Sequence, residues 1–302
     1  MHPIRIAKAT VLAATLATTL LSLPAFAQDA GTLKKIKATG VITLGHRESS
    51  IPFSYYDDKQ QVIGYSQEFM LKAVDAIKAD QKLAKLDVKL MPVTSANRIT
   101  LIQNGTIDIE CGSTTNNTER QKQVAFSNTI FVIGTKLMAK KDSGIKDFSD
   151  LAGKNVVTTA GTTSERLLRK MNEDKKMGMN VISAKDHGES FLTLETGRAV
   201  AFMMDDALLY GEMAKAKRAS DWVVVGTAQS KEAYGCMLRK DDASFKKVVD
   251  GAIAQVMASG EAVKIYNKWF MNPIPPKGLN LDMPLSDEMK ALYKAPNDKA
   301  FE

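Results

Sequence analysis

The chain has 302 residues and a formal net charge of +7, with 25% of its residues charged. That balance is mild, and lysines such as Lys72, Lys78, Lys82, Lys85 and Lys89 are scattered. Solvated helix faces account for them, and a nucleic-acid partner is not expected. The length suffices for two ordinary domains.

The first segment reads as an export signal. His2, Arg5 and Lys8 precede an apolar run from about Val11 to Leu23, and Ala25-Phe26-Ala27 supplies the small-x-small cleavage pattern. Removal of residues 1–27 takes away Arg5 and Lys8 and brings the charge to +5. No cysteine ends the apolar run, and no later segment is long and apolar enough to span a bilayer. The expectation is an exported protein with neither lipid nor helical anchor.

From Gln28 onward, short apolar runs alternate with amphipathic stretches. VITLGH (41–46) reads as a strand, 65–78 as a helix, and VKLMPV (88–93) and IDIEC (107–111) as strands. FVIGTKLMA (131–139), NVVTTA (155–160), AVAFMMD (199–205) and GCMLR (235–239) continue the strand series, with helices over 163–171, 245–257 and 262–270. Strands separated by helices imply parallel sheets with crossovers, hence an α/β fold. KKDSGIKDFSDLAGK (140–154) has the character of a domain entrance, with a short helix before a new strand, and AQSKEAYGCMLRKDD (228–242) supplies a second crossing. Two α/β units with two crossing points fit a two-lobed protein with a cleft between the lobes. The tail from Asn272, with Pro273, Pro275, Pro276, Pro284 and Pro296, is expected to wrap the surface irregularly.

The stretch IDIECGSTTNNTERQKQVAFS (107–127) carries the strongest chemical signal. It leaves an apolar strand through hydroxyl- and amide-rich residues 113–119 and reaches Arg120 at the start of a helical stretch. Such an arrangement holds a small anion in α/β proteins. In GTTSE (161–165), Thr162 with Glu165 fits a capping box that turns the N–H groups of Thr163 and Ser164 outward, although an ordinary cap explains the pattern without a ligand. Asp205 and Asp206 end AFMMDD at a strand's C-terminal edge, where Asp205 suits an ammonium and Asp206 is expected to cap the next helix.

Catalysis is not signalled. No nucleophile elbow, P-loop or dinucleotide fingerprint occurs, and His46 and His187 lack neighbours at metal-ligand spacing, so neither metal nor cofactor is expected. Cys111 and Cys236 make an even count, which in an oxidising compartment favours one disulfide, with buried unpaired thiols as the alternative.

Taken together, the chain resembles the periplasmic polar amino-acid-binding proteins, the solute receptors of ABC importers, over nearly all of its mature length. The resemblance rests on VITLGHRESSIPFSYYDDKQQVIGYSQEF (41–69), RITLIQNGTIDIECGSTTNNTERQKQVAFSNTIFVIG (98–134), DLAGKNVVTTAGTTSE (150–165), LETGRAVAFMMDDALL (194–209) and EAYGCMLRKDD (232–242). It is nearest to the glutamate/aspartate-binding branch. It implies the type II periplasmic binding protein fold, with lobe one formed by 28–136 and 236–302, lobe two by 137–235, and two crossing hinge strands. It also sets the strand IDIEC beside GCMLR, which makes a Cys111–Cys236 disulfide the expected pairing.

By the same resemblance, Arg120 matches the arginine that clamps the ligand's α-carboxylate, and Thr163 a backbone donor to it. Asp205 matches the carboxylate that receives the α-ammonium, assisted by the Ser113 carbonyl and the Thr115 hydroxyl. Many relatives carry an aspartate and an aromatic ring where Ser49 and Ser50 stand here. In the glutamate/aspartate branch, Arg47, Ser95, Arg98 and His187 correspond to the residues gathering the side-chain carboxylate. Three arginines against one aspartate leave a positive surplus that a second ligand carboxylate offsets, whereas glutamine would strand a buried arginine at a cost on the order of several kcal/mol.

The implied partners are L-glutamate and L-aspartate, both accepted, and an inner-membrane ABC permease. The protein is expected to be periplasmic, monomeric and non-catalytic. Two other readings compete: an enzyme on the same scaffold, of the cyclic-acid dehydratase type, and the ligand sensor of a channel or kinase. The first would have no use for an ammonium-binding Asp205, and the second would need a membrane span.

Overall fold

The structure is a computed structural model, and it describes residues 31–278 and 280–301. The signal peptide expected at 1–27 lies outside the described residues. From α1 (Thr32–Thr39) the chain enters β1 (Val41–His46), makes a short antiparallel trio of β2 (Ser49–Ser50), β3 (Ser54–Tyr56) and β4 (Val62–Ile63), and runs through α2 (Tyr65–Asp80) into β5 (Asp87–Pro92). There follow α3 (Arg98–Gln103), β6 (Ile109–Glu110), β7 (Thr115–Asn116), α4 (Thr118–Gln121), β8 (Val124–Phe126) and β9 (Phe131–Ile133). The middle of the chain contains β10 (Thr135–Lys140), β11 (Asn155–Thr159), α5 (Thr163–Asp174), β12 (Asn180–Ala184), α6 (His187–Glu195), β13 (Ala201–Asp205), α7 (Asp206–Lys215) and β14 (Trp222–Val225). The chain ends with β15 (Glu232–Tyr234), β16 (Met237–Arg239), α8 (Ala243–Ala258), α9 (Glu261–Phe270) and α10 (Asp287–Lys294).

Two five-stranded sheets organise these elements, one in the order β5-β1-β6-β16-β8 and the other β12-β11-β13-β10-β14. In the first, β1 pairs in parallel with β5 and β6, so the chain must cross over through α2 and α3 between them. The second repeats the device, β11 pairing in parallel with β12 and β13, and β10 antiparallel with β13. A three-stranded ribbon, β7-β15-β9, joins them: β9 leads the chain from the first sheet to the second, and the central strand β15 brings it back.

The α2 sequence has no glycine or proline, and its buried residues Tyr65, Phe69, Ala73 and Ile77 recur every four positions on one face. Tyr65 and Phe69 join an aromatic cluster with Phe53, Phe131, Tyr234, Tyr266 and Phe270, with Phe53 edge-on to Tyr65, Phe131 and Tyr234. Each such ring contributes roughly 1.5–3 kcal/mol through burial. Because Phe131 sits on β9 and Tyr234 on β15, the cluster anchors both connecting strands at their first-sheet ends.

Cys111 and Cys236 form a disulfide, with Cα atoms 4.2 Å apart. It follows from the antiparallel pairing of β6 with β16, in which Glu110 faces Met237. The bond closes a separation of 125 residues, and constraining so long a loop in the unfolded chain contributes about 2–4 kcal/mol.

Three details depart from the sequence reading. The run 131–139 is not one strand: it breaks at Gly134 into β9 and β10, which belong to different sheets, because the Gly134 carbonyl accepts the Asp206 N–H outside any ladder. The IDIEC strand is laddered only over Ile109–Glu110. The tail contains α10, capped by Ser286 and burying Met289, Leu292 and Tyr293, with the Tyr293 hydroxyl 2.8 Å from that of Tyr65. Its prolines masked an apolar i, i+3, i+4 face.

Candidate functional site

The residues singled out by sequence lie at the ends of strands and the starts of helices. Arg47 directly follows β1, Arg98 opens α3, and Ser113 and Thr115 follow β6. Thr163 opens α5, His187 opens α6, and Asp205 ends β13 where α7 begins. Strand C-terminal edges and helix N-termini are where an open α/β sheet exposes backbone donors and loops.

The two walls touch. Arg120 donates from Nη1 to the Thr115 carbonyl (2.9 Å) and from Nη2 to the Gly161 carbonyl (3.3 Å). The Thr115 hydroxyl lies 3.4 Å from that of Thr163. Ser49 donates to Asp186 (3.3 Å) and accepts the Gly188 N–H (3.2 Å), anchoring the start of α6. Two glycines permit this approach. A Cβ on Gly161, whose φ is +76°, would stand 2.6 Å from Ala96 Cα, and one on Gly211 would stand 2.1 Å from the Ile51 carbonyl oxygen.

The capping at these helix starts differs from expectation. Thr162 does accept the Glu165 N–H (3.0 Å), but Glu165 reaches back to the Gly161 N–H (2.8 Å) and not to that of Thr162, so the reciprocal capping box is incomplete. At α7 the N-cap position belongs to Asp205, not Asp206; Asp206 is the first helical residue and its carboxylate accepts the Ala207 N–H (2.7 Å). The Asp205 carboxylate makes no cap. It turns inward to accept from Thr135 (2.8 Å), Ser164 (3.2 Å) and the Tyr234 hydroxyl. Burial, with the charge of Glu232 adding to it, pushes the Asp205 carboxyl up to about 7.

Three guanidinium groups are gathered in the same interior. Arg47 and Arg98 are each 1% exposed. Arg47 Nη1 meets Ser113 Oγ at 3.5 Å. Arg98 Nη1 donates to the Ser113 carbonyl (3.0 Å) and to Thr114 Oγ1. Burial, reinforced by the Arg98 charge, lowers Arg47 to about 10 and Arg120 to about 9; burial lowers Arg98 too, against the pull of Glu110. All three stay cationic at neutral pH.

His187 is fully enclosed, its Nδ1 2.8 Å from Thr159 Oγ1, and burial together with the Arg47 and Arg98 charges holds its pKa well below the ordinary value. Ser190 Oγ gives its proton to the Asp186 carbonyl (2.9 Å), so the Thr159 hydroxyl donates to Ser190 and accepts from His187 Nδ1–H; Nε2 of the neutral ring is then an unprotonated nitrogen, and it gains a donor proton only when an anion beside it stabilises the imidazolium. Among the buried side-chain atoms that have no hydrogen-bond partner are Ser95 Oγ, Arg98 Nε, His187 Nε2 and Glu110 Oε1. Among the described residues no cluster of three His, Cys, Asp or Glu side chains is arranged to hold a metal ion.

The family model for bacterial extracellular solute-binding proteins, family 3, matches residues 42–272. The chain belongs to that family. It is 65% identical over 294 residues to the L-glutamate/L-aspartate-binding protein of Pseudomonas aeruginosa, covering 97% of each chain. It is also 65% identical over 270 residues to the glutamate/aspartate import solute-binding protein of Escherichia coli, covering 89% of each. Among solved structures, an ancestral arginine-binding protein bound to arginine superposes with a TM-score of 0.69 at 29% identity, over 76% of this chain and 98% of that one.

As a family 3 solute-binding protein the chain is a binding protein and not an enzyme, and it has the two-lobed type II α/β fold, with β9 and β15 as the crossing strands. No helix among the described residues is long and apolar enough to cross a membrane.

Sequence reasoning missed two carboxylates that pack against the residues it singled out. Glu110, fully buried, accepts from Thr114 Oγ1 (2.7 Å) and lies 4.0 Å from Arg98 Nη1. Glu232 accepts from Thr115, Thr163 and Ser230. They change the charge count: against Arg47, Arg98 and Arg120 stand Asp205, Glu110 and Glu232, so the positive surplus read from the sequence is absent from the folded site. A glutamate inside the apolar strand IDIEC was the available signal for Glu110. For Glu232 the only hint was an acid opening the return strand EAYGCML.

Proposed function

We propose that this protein is an exported receptor that captures L-glutamate and L-aspartate between its lobes and passes them to an inner-membrane ABC permease. Lobe one consists of 28–136 and 236–302, lobe two of 137–235, after removal of the signal peptide 1–27. The receptor is periplasmic and monomeric. Arg120 and the Thr163 N–H take the α-carboxylate; Asp205, the Thr115 hydroxyl and the Ser113 carbonyl take the α-ammonium. Arg47, Ser95, Arg98 and His187 take the side-chain carboxylate.

The observation that carries this reading is the set of unpartnered polar atoms. Ser95 Oγ, Arg98 Nε and His187 Nε2 are buried without a hydrogen bond, and Arg47 and Arg98 both act electrostatically on His187. A buried donor left unpaired costs about 1–3 kcal/mol, so the two donors Ser95 Oγ and Arg98 Nε, with Arg47 and Arg98 both acting on His187, support the seat of an anion here. The named ligands of the P. aeruginosa and E. coli relatives support the same assignment. One extra methylene separates glutamate from aspartate, a difference that adjustable arginine side chains or a bridging water absorb.

Calorimetry on protein refolded to remove copurified ligand tests the proposal against glutamate, aspartate, glutamine and asparagine. Both acids should bind far more tightly than their amides. Tight glutamine binding with weak glutamate binding would reject it.

A further inference from the structure

Glu232 opens β15, is 6% exposed, and stands where the two walls of the site meet. Its Oε2 accepts from the Thr115 hydroxyl, on β7, and from the Thr163 hydroxyl (2.8 Å), on α5. Its Oε1 accepts from Ser230 (3.0 Å). Two residues along the same strand, the Tyr234 hydroxyl donates to Asp205.

A hydroxyl has one proton to give and two lone pairs with which to receive. Thr115 gives its proton to Glu232, so its lone pairs are what it offers to a third group. Thr115 is also the hydroxyl assigned above to the ligand's α-ammonium, a group that only donates. Asp205 meanwhile accepts from Thr135, Ser164 and Tyr234, which uses three of roughly four acceptor positions on a carboxylate. One carboxylate so engaged is a limited partner for three ammonium protons.

We propose that Glu232 makes the site select for a free α-ammonium, by fixing the Thr115 hydroxyl as an acceptor and setting a second negative charge beside Asp205. This rests on the reading of the site as an amino-acid receptor. Glu232 is a positioning residue, acting through Thr115 and through its charge. It also excludes diacids that lack the ammonium: with three arginines already balanced by Asp205, Glu110 and Glu232, such a ligand would bring two uncompensated charges where glutamate brings one.

The test is calorimetry with L-glutamate and with glutarate, which is glutamate without its ammonium, on wild type, Glu232→Gln, Thr115→Val and Thr115→Ser. Wild type should prefer glutamate over glutarate on the order of 10⁴-fold, as expected when buried polar groups lose their partner. Glu232→Gln should weaken glutamate roughly 10- to 100-fold, the worth of a charged hydrogen bond, while glutarate binding holds or improves. Thr115→Val should shift the ratio the same way, Thr115→Ser should restore it, and the Glu232→Gln effect should shrink in the Thr115→Val background.

Equal weakening of both ligands in Glu232→Gln would reduce Glu232 to a structural role and overturn the proposal. Equal binding of glutarate and glutamate by wild type would overturn it without any variant. Failure of wild type to bind glutamate at all would instead reject the receptor assignment.

Discussion

The two ends of the binding site are built on opposite principles. At the end formed by Thr115, Thr163, Asp205 and Glu232, the acceptors are already occupied: Asp205 receives three hydrogen bonds and Glu232 three. At the end formed by Arg47, Ser95, Arg98 and His187, buried polar atoms stand without partners. The first end is satisfied by the chain itself and is stable as folded. The second leaves Ser95 Oγ and Arg98 Nε unpaired in this structure, which on the proposed function is where the ligand supplies the partner. On the proposed assignment, the first end recognises an amino acid and the second chooses which one.

Arg98 offers the sharpest way to break that contrast. Arg98→Met removes one of the two buried guanidinium groups that act on His187, together with its own unpaired Nε, and should lower glutamate and aspartate affinity by the equivalent of about 2–5 kcal/mol, the usual cost of truncating a buried charge pair. It also leaves Glu110, 4.0 Å away, without its cation, so thermal stability should drop as well. Adding Glu110→Gln should recover the melting temperature and not the affinity. Recovery of both would make Arg98 a structural partner of Glu110 and nothing more.

His187 gives a smaller effect at the same end. His187→Ala deletes one buried polar side chain among several, and glutamate should weaken about tenfold, with the residual weak binding of glutamine unchanged in a side-by-side titration. A variant that weakened glutamine as much would place His187 outside the distal carboxylate.

The smallest effect is in pH, where the two ends should respond in opposite directions. Asp205, raised to about 7 by burial and Glu232, binds a proton more readily folded than unfolded. Its contribution to ligand-free stability is full below about pH 4, the unfolded carboxyl value, and is lost as pH rises through about 7. Glu232 and Asp206 add to the rise in its pKa, while Arg98 interacts favourably with the ionised carboxylate. His187, lowered by burial, does the reverse: it favours the fold above the unfolded value near 6.5 and loses that contribution as pH falls. Melting curves of ligand-free protein from pH 5 to 8 should therefore lose the Asp205-dependent decline between pH 5 and about 7 in Asp205→Asn. Identical slopes in variant and wild type would contradict the raised Asp205. Because an ammonium needs the ionised carboxylate, glutamate affinity should rise with pH up to about 7.

Much of the fold was legible beforehand because periodicity is a local property. VITLGH and NVVTT alternate or accumulate β-branched residues, and α2, α8 and α9 carry unbroken four-residue repeats, so each appears within a residue or two of its expected place. Short elements were hidden. The β2–β4 trio, β7 and β15 are two or three residues long, which is too short for a period to register, and α10 was obscured by the prolines around it. The break at Gly134 could not be seen at all, since nothing local says that one apolar run will serve two sheets.

The site divides along the same line. Residue type and motif pointed to Arg120, Thr163 and Asp205, because guanidinium, helix-start and carboxylate chemistry is local, whereas Arg47, Ser95, Arg98 and His187 entered only through the family resemblance. Which hydroxyl donates, which carboxylate is already engaged and how the charges balance are relations between residues as far apart as Thr115 and Glu232. The sequence by itself determined the α/β class, the family and the cast of charged residues. Only the tertiary structure decided that Glu110 and Glu232 join the arginines, that Asp205 faces the interior instead of capping α7, and that Ser95 Oγ and Arg98 Nε are buried without partners, because burial and hydrogen-bond partnership exist only once distant segments have met.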